Sequence, residues 1–344
     1  MNTFLSFPED RRRTFCEQAQ DKLGLPPATI EKDFWVCWTL KKLFELPSWG
    51  SNLTFKGGTS LSKGWALIER FSEDIDIVIN RDALGFGGDQ APDRAPSKKQ
   101  TRKRLDALKE ASQRCVNEAL LPALATAVSQ EMPAELSWQL DADPDDPDTQ
   151  TLLLAYPTAF ADQMDYLRQV VKIELGARSD TEPTQEIDIQ PYLAEAFPDL
   201  LTQGHFSVRA VSPERTFWEK AMLLHEETFR PPDKKRQARM ARHYYDLYRL
   251  IEADIGDKAS GNLELFERIA AHRQVYFRYN WVDYETLRPG RLKLVPPDDQ
   301  LADWKSDYSA MKDEMFFGEP PAFDDLIQIV REFQDAFNRK AGAE

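Results

Sequence analysis

Apolar residues recur at helical spacing over 27–46 (PATIEKDFWVCWTLKKLFEL), a period that predicts an amphipathic helix. A short apolar run, 53–55, then meets Gly57 and Gly58. Residues 59–70 (TSLSKGWALIER) return to a helical period, with Thr59 or Ser60 as N-cap. Directly after it, Ile75, Ile77, Val78 and Ile79 make a β-branched strand. Residues 53–79 therefore read strand, turn, helix, strand. Downstream, glycine and proline over 84–96 predict a loop and 98–128 a long helix. Strands are expected at 135–140, 151–157, 169–176 and 206–211, with the acidic stretch 141–148 as a turn. From Pro213 the period is helical over 213–229, 236–254, 261–274 and 323–340. The expected class is α+β: a mixed β-sheet flanked by helices in residues 1–208, then a mainly α-helical domain over 209–344.

Composition narrows the class. The 344 residues suffice for one large or two ordinary domains, and 42% hydrophobic with 30% charged residues is a globular balance. There is no apolar run of membrane-spanning length and no apolar signal core near the N-terminus, so a cytoplasmic protein without a membrane partner is expected. Cys16, Cys37 and Cys115 are scattered, which suits packing in a reducing compartment. Four histidines without HExxH or HxH spacing argue against a histidine-built zinc site.

The net charge of −14 opposes polyanion binding when taken alone. Its distribution changes that picture. Residues 94–104 carry six basic side chains and no acid, and 230–242 carry six with one acid. Each run is either a solvated face or a phosphate-contacting rim.

The chemistry concentrates in FKGGTSLSKGWALIERFSEDIDIVI, residues 55–79. It is not a P-loop: Ser62 stands where the second glycine belongs, and Gly64 follows Lys63 in place of a hydroxyl residue. Gly57 and Gly58 let backbone approach a ligand, the following helix N-terminus favours an anion, and Thr59 and Ser60 add hydroxyls. That is a seat for a triphosphate. Asp74 and Asp76, two apart on a strand, point to one face. Paired carboxylates repel unless a cation neutralises them, and Mg2+ with substrate phosphates does so. A lone DxD reads equally as an exposed strand edge; a Gly-Gly-Thr-Ser turn at this spacing weights the metal reading.

This pattern resembles the nucleotidyltransferase fold and, more narrowly, the AbiEii/AbiGii toxin family. KGGTSLSK with RFSEDIDI is similar to that family's first motif, and IEKDFWV at 30–36 to its N-terminal signature. VKIELGARSD at 171–180, SPERTFWEKAMLLHE at 212–226 and RHYYDLYRL at 242–250 resemble the later motifs, so the likeness covers roughly 27–255. It implies Glu174 as a third acidic residue, Lys220 as a functional lysine, and Arg242 with Asp246 in the last motif. Read from the residues alone, Glu174 fits an outward position on a half-exposed strand, Lys220 a solvent-facing lysine, and Asp246 a surface ion pair with Arg242. Lys63 and Arg70 are further phosphate candidates, each expected to be exposed on its helix.

The resemblance implies a Mg-dependent transfer of a nucleotide from an NTP to an acceptor hydroxyl. It further implies a toxin of a toxin–antitoxin or phage-defence system, with tRNA as acceptor and a cognate antitoxin as partner. A protein or small-molecule acceptor, or a nucleotide-binding module without turnover, are the competing readings, since the fold serves all of them. Tyr276, Phe277, Tyr279, Trp281 and Tyr284, at mixed spacing, read as core packing ahead of the alternative, a base-stacking platform.

Overall fold

A computed structural model describes residues 1–161, 169–201, 204–316 and 318–340. The chain divides into two units: Met1–Gly64 with Ser72–Ala210, and Trp65–Phe71 with Val211–Glu344.

The first unit opens with helices α1 (Asn2–Leu5), α2 (Glu9–Leu23) and α3 (Pro27–Phe44). Pro27 sits at the first position of α3, where a missing N–H costs nothing. The helix is where its period predicts, but it is not a surface helix. Phe34, Trp35 and Trp38 are buried, and so are Glu31, Lys32 and Asp33 on the polar positions.

A seven-stranded mixed sheet follows. Its strands are β1 (Leu53–Lys56), β2 (Ile75–Ile79), β3 (Gln139–Ala142), β4 (Thr151–Ala155), β5 (Val170–Gly176), β6 (Thr184–Ile189) and β7 (Phe206–Val211). Their spatial order is β3-β4-β5-β2-β1-β7-β6. β2 runs antiparallel to β1 and parallel to β5, and β1 runs parallel to β7. Between the strands lie α4 (Gly57–Thr59), α5 (Lys98–Arg114), α6 (Leu121–Glu131) and α7 (Tyr192–Ala196). Ser97 caps α5 by accepting from the Gln100 N–H, and a π-helical stretch, Cys115–Leu120, joins α5 to α6. Cys16, Cys37 and Cys115 are buried free thiols, as their scatter suggests.

The expected helix over 59–70 is different in the structure. α4 starts at Gly57, passes into a π turn over Ser60–Gly64, and stops. Ala66 at φ 52° takes the left-handed conformation, which a helix does not continue through. The segment Trp65–Phe71 then belongs to the second unit, where Phe71 N–H donates to the Met315 carbonyl at 2.6 Å and Arg70 bridges to Phe316.

The second unit is helical: α8 (Pro213–Glu227), α9 (Arg242–Glu252), α10 (Ile255–Ser260), α11 (Leu263–Tyr276), α12 (Leu301–Met315) and α13 (Phe323–Lys340). Ser212 caps α8 by accepting from the Arg215 N–H, with Pro213 at the first position. Trp218 anchors the core, with ring centroids of Phe266, Phe337 and Phe217 at 4.8, 4.9 and 5.1 Å. α9 begins later than its period predicts. Arg239 has φ 64°, and Asp307 takes the N–H groups of Arg239 and Ala241 at 2.6 and 2.7 Å. Of the aromatics expected in the core, Tyr276 and Tyr284 are buried, whereas Tyr279 is 39% exposed. Among the described residues no helix is long and apolar enough to cross a membrane.

Candidate active site

Asp74 precedes β2 and Asp76 lies within it; β5 beside it alternates, with Val171, Ile173 and Leu175 turned to the core. The register sets Lys56, Asp76 and Glu174 in one row across β1, β2 and β5. Adjacent positions in register share a face, so Glu174 stands beside the aspartate pair on the opposite side of the sheet from that core.

Lys172, two residues before Glu174 and on the same face, forms an ion pair with it. Burial alone would lower the Lys172 ammonium, but Glu174 and the nearby charge of Asp74 outweigh it and hold it above its ordinary value. The charges of Glu174 and Asp74 thus favour a cation on this face, and Lys172 is one.

The glycine turn is built against the second aspartate. Gly57 has φ 82°, a conformation that favours glycine, and a Cβ there would meet Asp76 Oδ2 at 1.9 Å. Thr59 and Ser60 are fully buried, and their hydroxyls do not face outward as expected. Thr59 Oγ1 donates to the Asp74 carbonyl at 2.5 Å and bonds Ser72 Oγ at 2.9 Å, while Ser60 Oγ donates to the Gly57 carbonyl at 2.9 Å. Neither caps the helix; Lys56 occupies that place. Thr59 ties the turn to the acidic segment, and Ser60 braces the turn itself. Gly57→Ala is expected to displace Asp76 and lower nucleotidyl transfer by about a hundredfold, the scale of a misplaced catalytic group. A label-transfer rate equal to wild type would show that this packing does not set Asp76.

Helix α3 holds the motif in place through buried charges. Lys32 pairs with Glu73, the residue before Asp74. Asp33 accepts from Lys63 Nζ at 2.8 Å and from the Tyr192 N–H at 2.7 Å, and Lys63 also lies 3.5 Å above the Tyr192 ring. Glu31 accepts from Thr158 and the Ala159 N–H. Burial alone would lower the Lys63 ammonium, but Asp33 raises it above its ordinary value. Lys63, expected to be an exposed phosphate contact, is thus a buried structural cation. The sequence signal for this role was the three consecutive charges Glu31, Lys32 and Asp33 inside an apolar helix, where burial demands partners.

The second unit has its own buried cluster. Arg70 grips Asp246 with two bonds, Nε to Oδ1 at 2.7 Å and an η nitrogen to Oδ2 at 2.8 Å, and Lys220 Nζ reaches Oδ2 at 2.7 Å. Asp246 is fully buried, Arg70 is 3% exposed and Lys220 7%. Arg70 and Lys220 are therefore not the exposed side chains expected, and the partners of Asp246 are these two cations. Burial would raise the Asp246 carboxyl, but Arg70 and then Lys220 overcome it and hold it far below the usual carboxylate range. Lys220 moves below its ordinary value: burial lowers it, Asp246 opposes, and Arg70 and Arg242 add to the lowering. Of two cations sharing one carboxylate, the ammonium is the stronger acid and so the group under pressure to lose its proton. Arg242, at the start of α9, is half-buried.

The donor chemistry tests what the first unit's site can hold. Asp74 and Asp76 are hard oxygen donors, which suit a divalent ion of the magnesium type. Among the described residues no three Asp, Glu, His or Cys side chains converge to hold an ion together. Glu174 is engaged with Lys172 and does not complete a protein-only cage. The fit is to an ion held by two carboxylates, with water and substrate oxygens filling its shell.

A Gly-Gly turn seated on a strand aspartate, in a mixed sheet flanked by helices, is the frame of a nucleotidyltransferase. The family of nucleotidyl transferase AbiEii toxins, of type IV toxin–antitoxin systems, matches residues 38–339, and the chain belongs to it. The match starts after IEKDFWV and extends through the C-terminal helices, beyond the 27–255 that the motifs alone cover. Among solved structures the chain is similar to JHP933 of Helicobacter pylori, at 15% identity, TM-score 0.42, covering 91% of this chain and 94% of that one. It is also similar to the nucleotidyltransferase toxin MenT4 of Mycobacterium tuberculosis, at 14% identity, TM-score 0.38, covering 96% and 98%. No curated protein sequence matches the chain. Family membership brings with it a nucleotide substrate, a divalent metal and an antitoxin partner.

Proposed function

We propose that this toxin transfers a nucleotide from an NTP to a hydroxyl of tRNA, with Mg2+, in the cytoplasm and in phage defence. The carrying observation is the Gly57 turn packed on Asp76 and tied through Thr59 to Asp74. In this reading the backbone of Gly57 and Gly58 receives the triphosphate. Asp74 and Asp76 hold the ion, which when bound neutralises phosphate charge. The acceptor oxygen bonds to the α-phosphorus as the bond to the bridging oxygen breaks, and pyrophosphate leaves. A carboxylate of the pair or water takes the hydroxyl proton. Glu174 keeps Lys172 beside the pair. Lys220 and Arg242 are the further functional residues of this reading, with Asp246 holding Lys220 and Arg70.

An RNA acceptor is supported by the basic run on α5, where Lys98, Lys99, Arg102 and Lys103 are all exposed. Wild-type protein, magnesium, labelled NTPs and a cell extract, followed by separation of RNA, protein and small molecules, tests the acceptor. Label in tRNA is expected; label confined to protein or small molecules would replace tRNA with that class.

A further inference from the structure

The surface aromatics of the second unit form an arrangement that the nucleotidyl-transfer site does not use. Tyr279 and Trp281 stack at 4.4 Å between centroids, with 23° between their planes. Tyr279 is exposed. The loop carrying them is pinned from below: the Tyr279 N–H donates to Tyr284 Oη at 3.1 Å, and that hydroxyl donates to the buried Glu226 carboxylate at 3.2 Å. The rings are thus presented on a fixed backbone.

Cations surround this stack. Lys234, exposed, sets its ammonium 3.8 Å from the Trp281 ring centroid, and the Arg230 guanidinium lies 5.9 Å from it. Arg230 is fixed by two bonds that it donates to the Glu227 carboxylate, at 2.6 and 2.5 Å. Lys235 and Arg278 are exposed next in sequence to Lys234 and Tyr279. Asp233 is the one acid in the run 230–242. An aromatic pair of one exposed and one half-buried ring, beside exposed cations, matches the two demands of a single polynucleotide strand: a π-face for each base and a positive charge for each phosphate.

We infer that Tyr279 and Trp281 form a base-stacking platform for an unpaired polynucleotide segment, with Lys234, Lys235 and Arg278 on its phosphates. This rests on the nucleic-acid acceptor proposed above. An arriving base displaces the Lys234 ammonium from the Trp281 face. That exchange is favourable, because a base–aromatic stack is worth more than an exposed cation–π contact and the freed ammonium gains a phosphate. No donor or acceptor reads base edges in this scheme, so binding is tolerant of sequence.

The test is fluorescence anisotropy of the full chain, without NTP, on a short labelled single-stranded RNA of mixed sequence and on a blunt RNA duplex. The Tyr279→Ala/Trp281→Ala variant is expected to bind the single strand about tenfold more weakly, equivalent to about 1.4 kcal/mol, and the duplex unchanged. Tyr279→Phe keeps wild-type affinity. Lys234→Ala/Lys235→Ala reduces the slope of log affinity against log salt by roughly one. If the double variant melts lower, Tyr279→Ala alone, an exposed ring, decides. Wild-type strand affinity in that variant, or equal weakening on strand and duplex, overturns the platform. Transfer to RNA that persists while strand binding ignores Tyr279→Ala overturns the platform alone. Strand binding that needs the stack in a protein without transfer overturns the reaction alone.

Discussion

Replacing Asp74 and Asp76 together by alanine is expected to reduce nucleotidyl transfer by at least about a thousandfold, while the melting temperature moves little. The size follows from the role: removing a single preorganised electrostatic element from an active site already costs about a hundred- to a thousandfold. The small structural cost follows from position. Asp74 lies outside the strand, and Asp76 is half-exposed on the face of β2 away from its buried Ile75, Ile77 and Ile79. Label-transfer rates and thermal melts of the same preparations check both halves. Transfer undiminished in the double variant would remove the aspartates from the chemistry.

The second large effect concerns stability. Asp246→Asn keeps the volume of the side chain but removes the charge that compensates Arg70 and Lys220. Two cations would then be buried together, and breaking such a cluster from one side costs about 3–5 kcal/mol. A drop in melting temperature on the order of 10 °C is expected. Replacing all three charges with apolar residues of similar size (Arg70→Met, Lys220→Met, Asp246→Leu) is expected to recover most of that loss, since buried ion clusters and well-packed hydrophobic substitutes are close in stability. Activity is expected to stay low in the triple variant, because Lys220 and Asp246, proposed as functional residues, are gone. Thermal denaturation with transfer assays separates the two. An Asp246→Asn protein as stable as wild type would mean that Arg70 and Lys220 find other compensation.

What the sequence revealed tracks how local each signal is. β2 was legible because a β-branched run needs no distant partner to be recognised, and α8 because Ser212 and Pro213 mark its start. β6, TQEIDI, was missed: its apolar positions, Ile187 and Ile189, are too few to stand out between acids. The helix over 59–70 was misjudged because Leu61, Trp65 and Ile68 keep a helical period although the chain leaves the helix at Gly64 and crosses to another unit. Periodicity records that a residue is buried, not in which core. The same limit governs the site. Asp74, Asp76 and Gly57 could be singled out by spacing, since their chemistry is written within twenty residues of chain. The pairing of Arg70 with Asp246 joins residues 176 apart, and Asp33 with Lys63 joins two helices, so no local pattern announces either. Lys56 was overlooked for a related reason, since only the strand register sets it beside Asp76; Lys172, two residues from Glu174 on one strand, was within reach of the period-two pattern.

The most direct test of the reaction uses wild-type protein, magnesium and total tRNA with NTP labelled either at the α- or at the γ-phosphate. Nucleotidyl transfer predicts α-label on the RNA and γ-label released as pyrophosphate. γ-label on the acceptor, or no transfer of α-label to any acceptor, would contradict it.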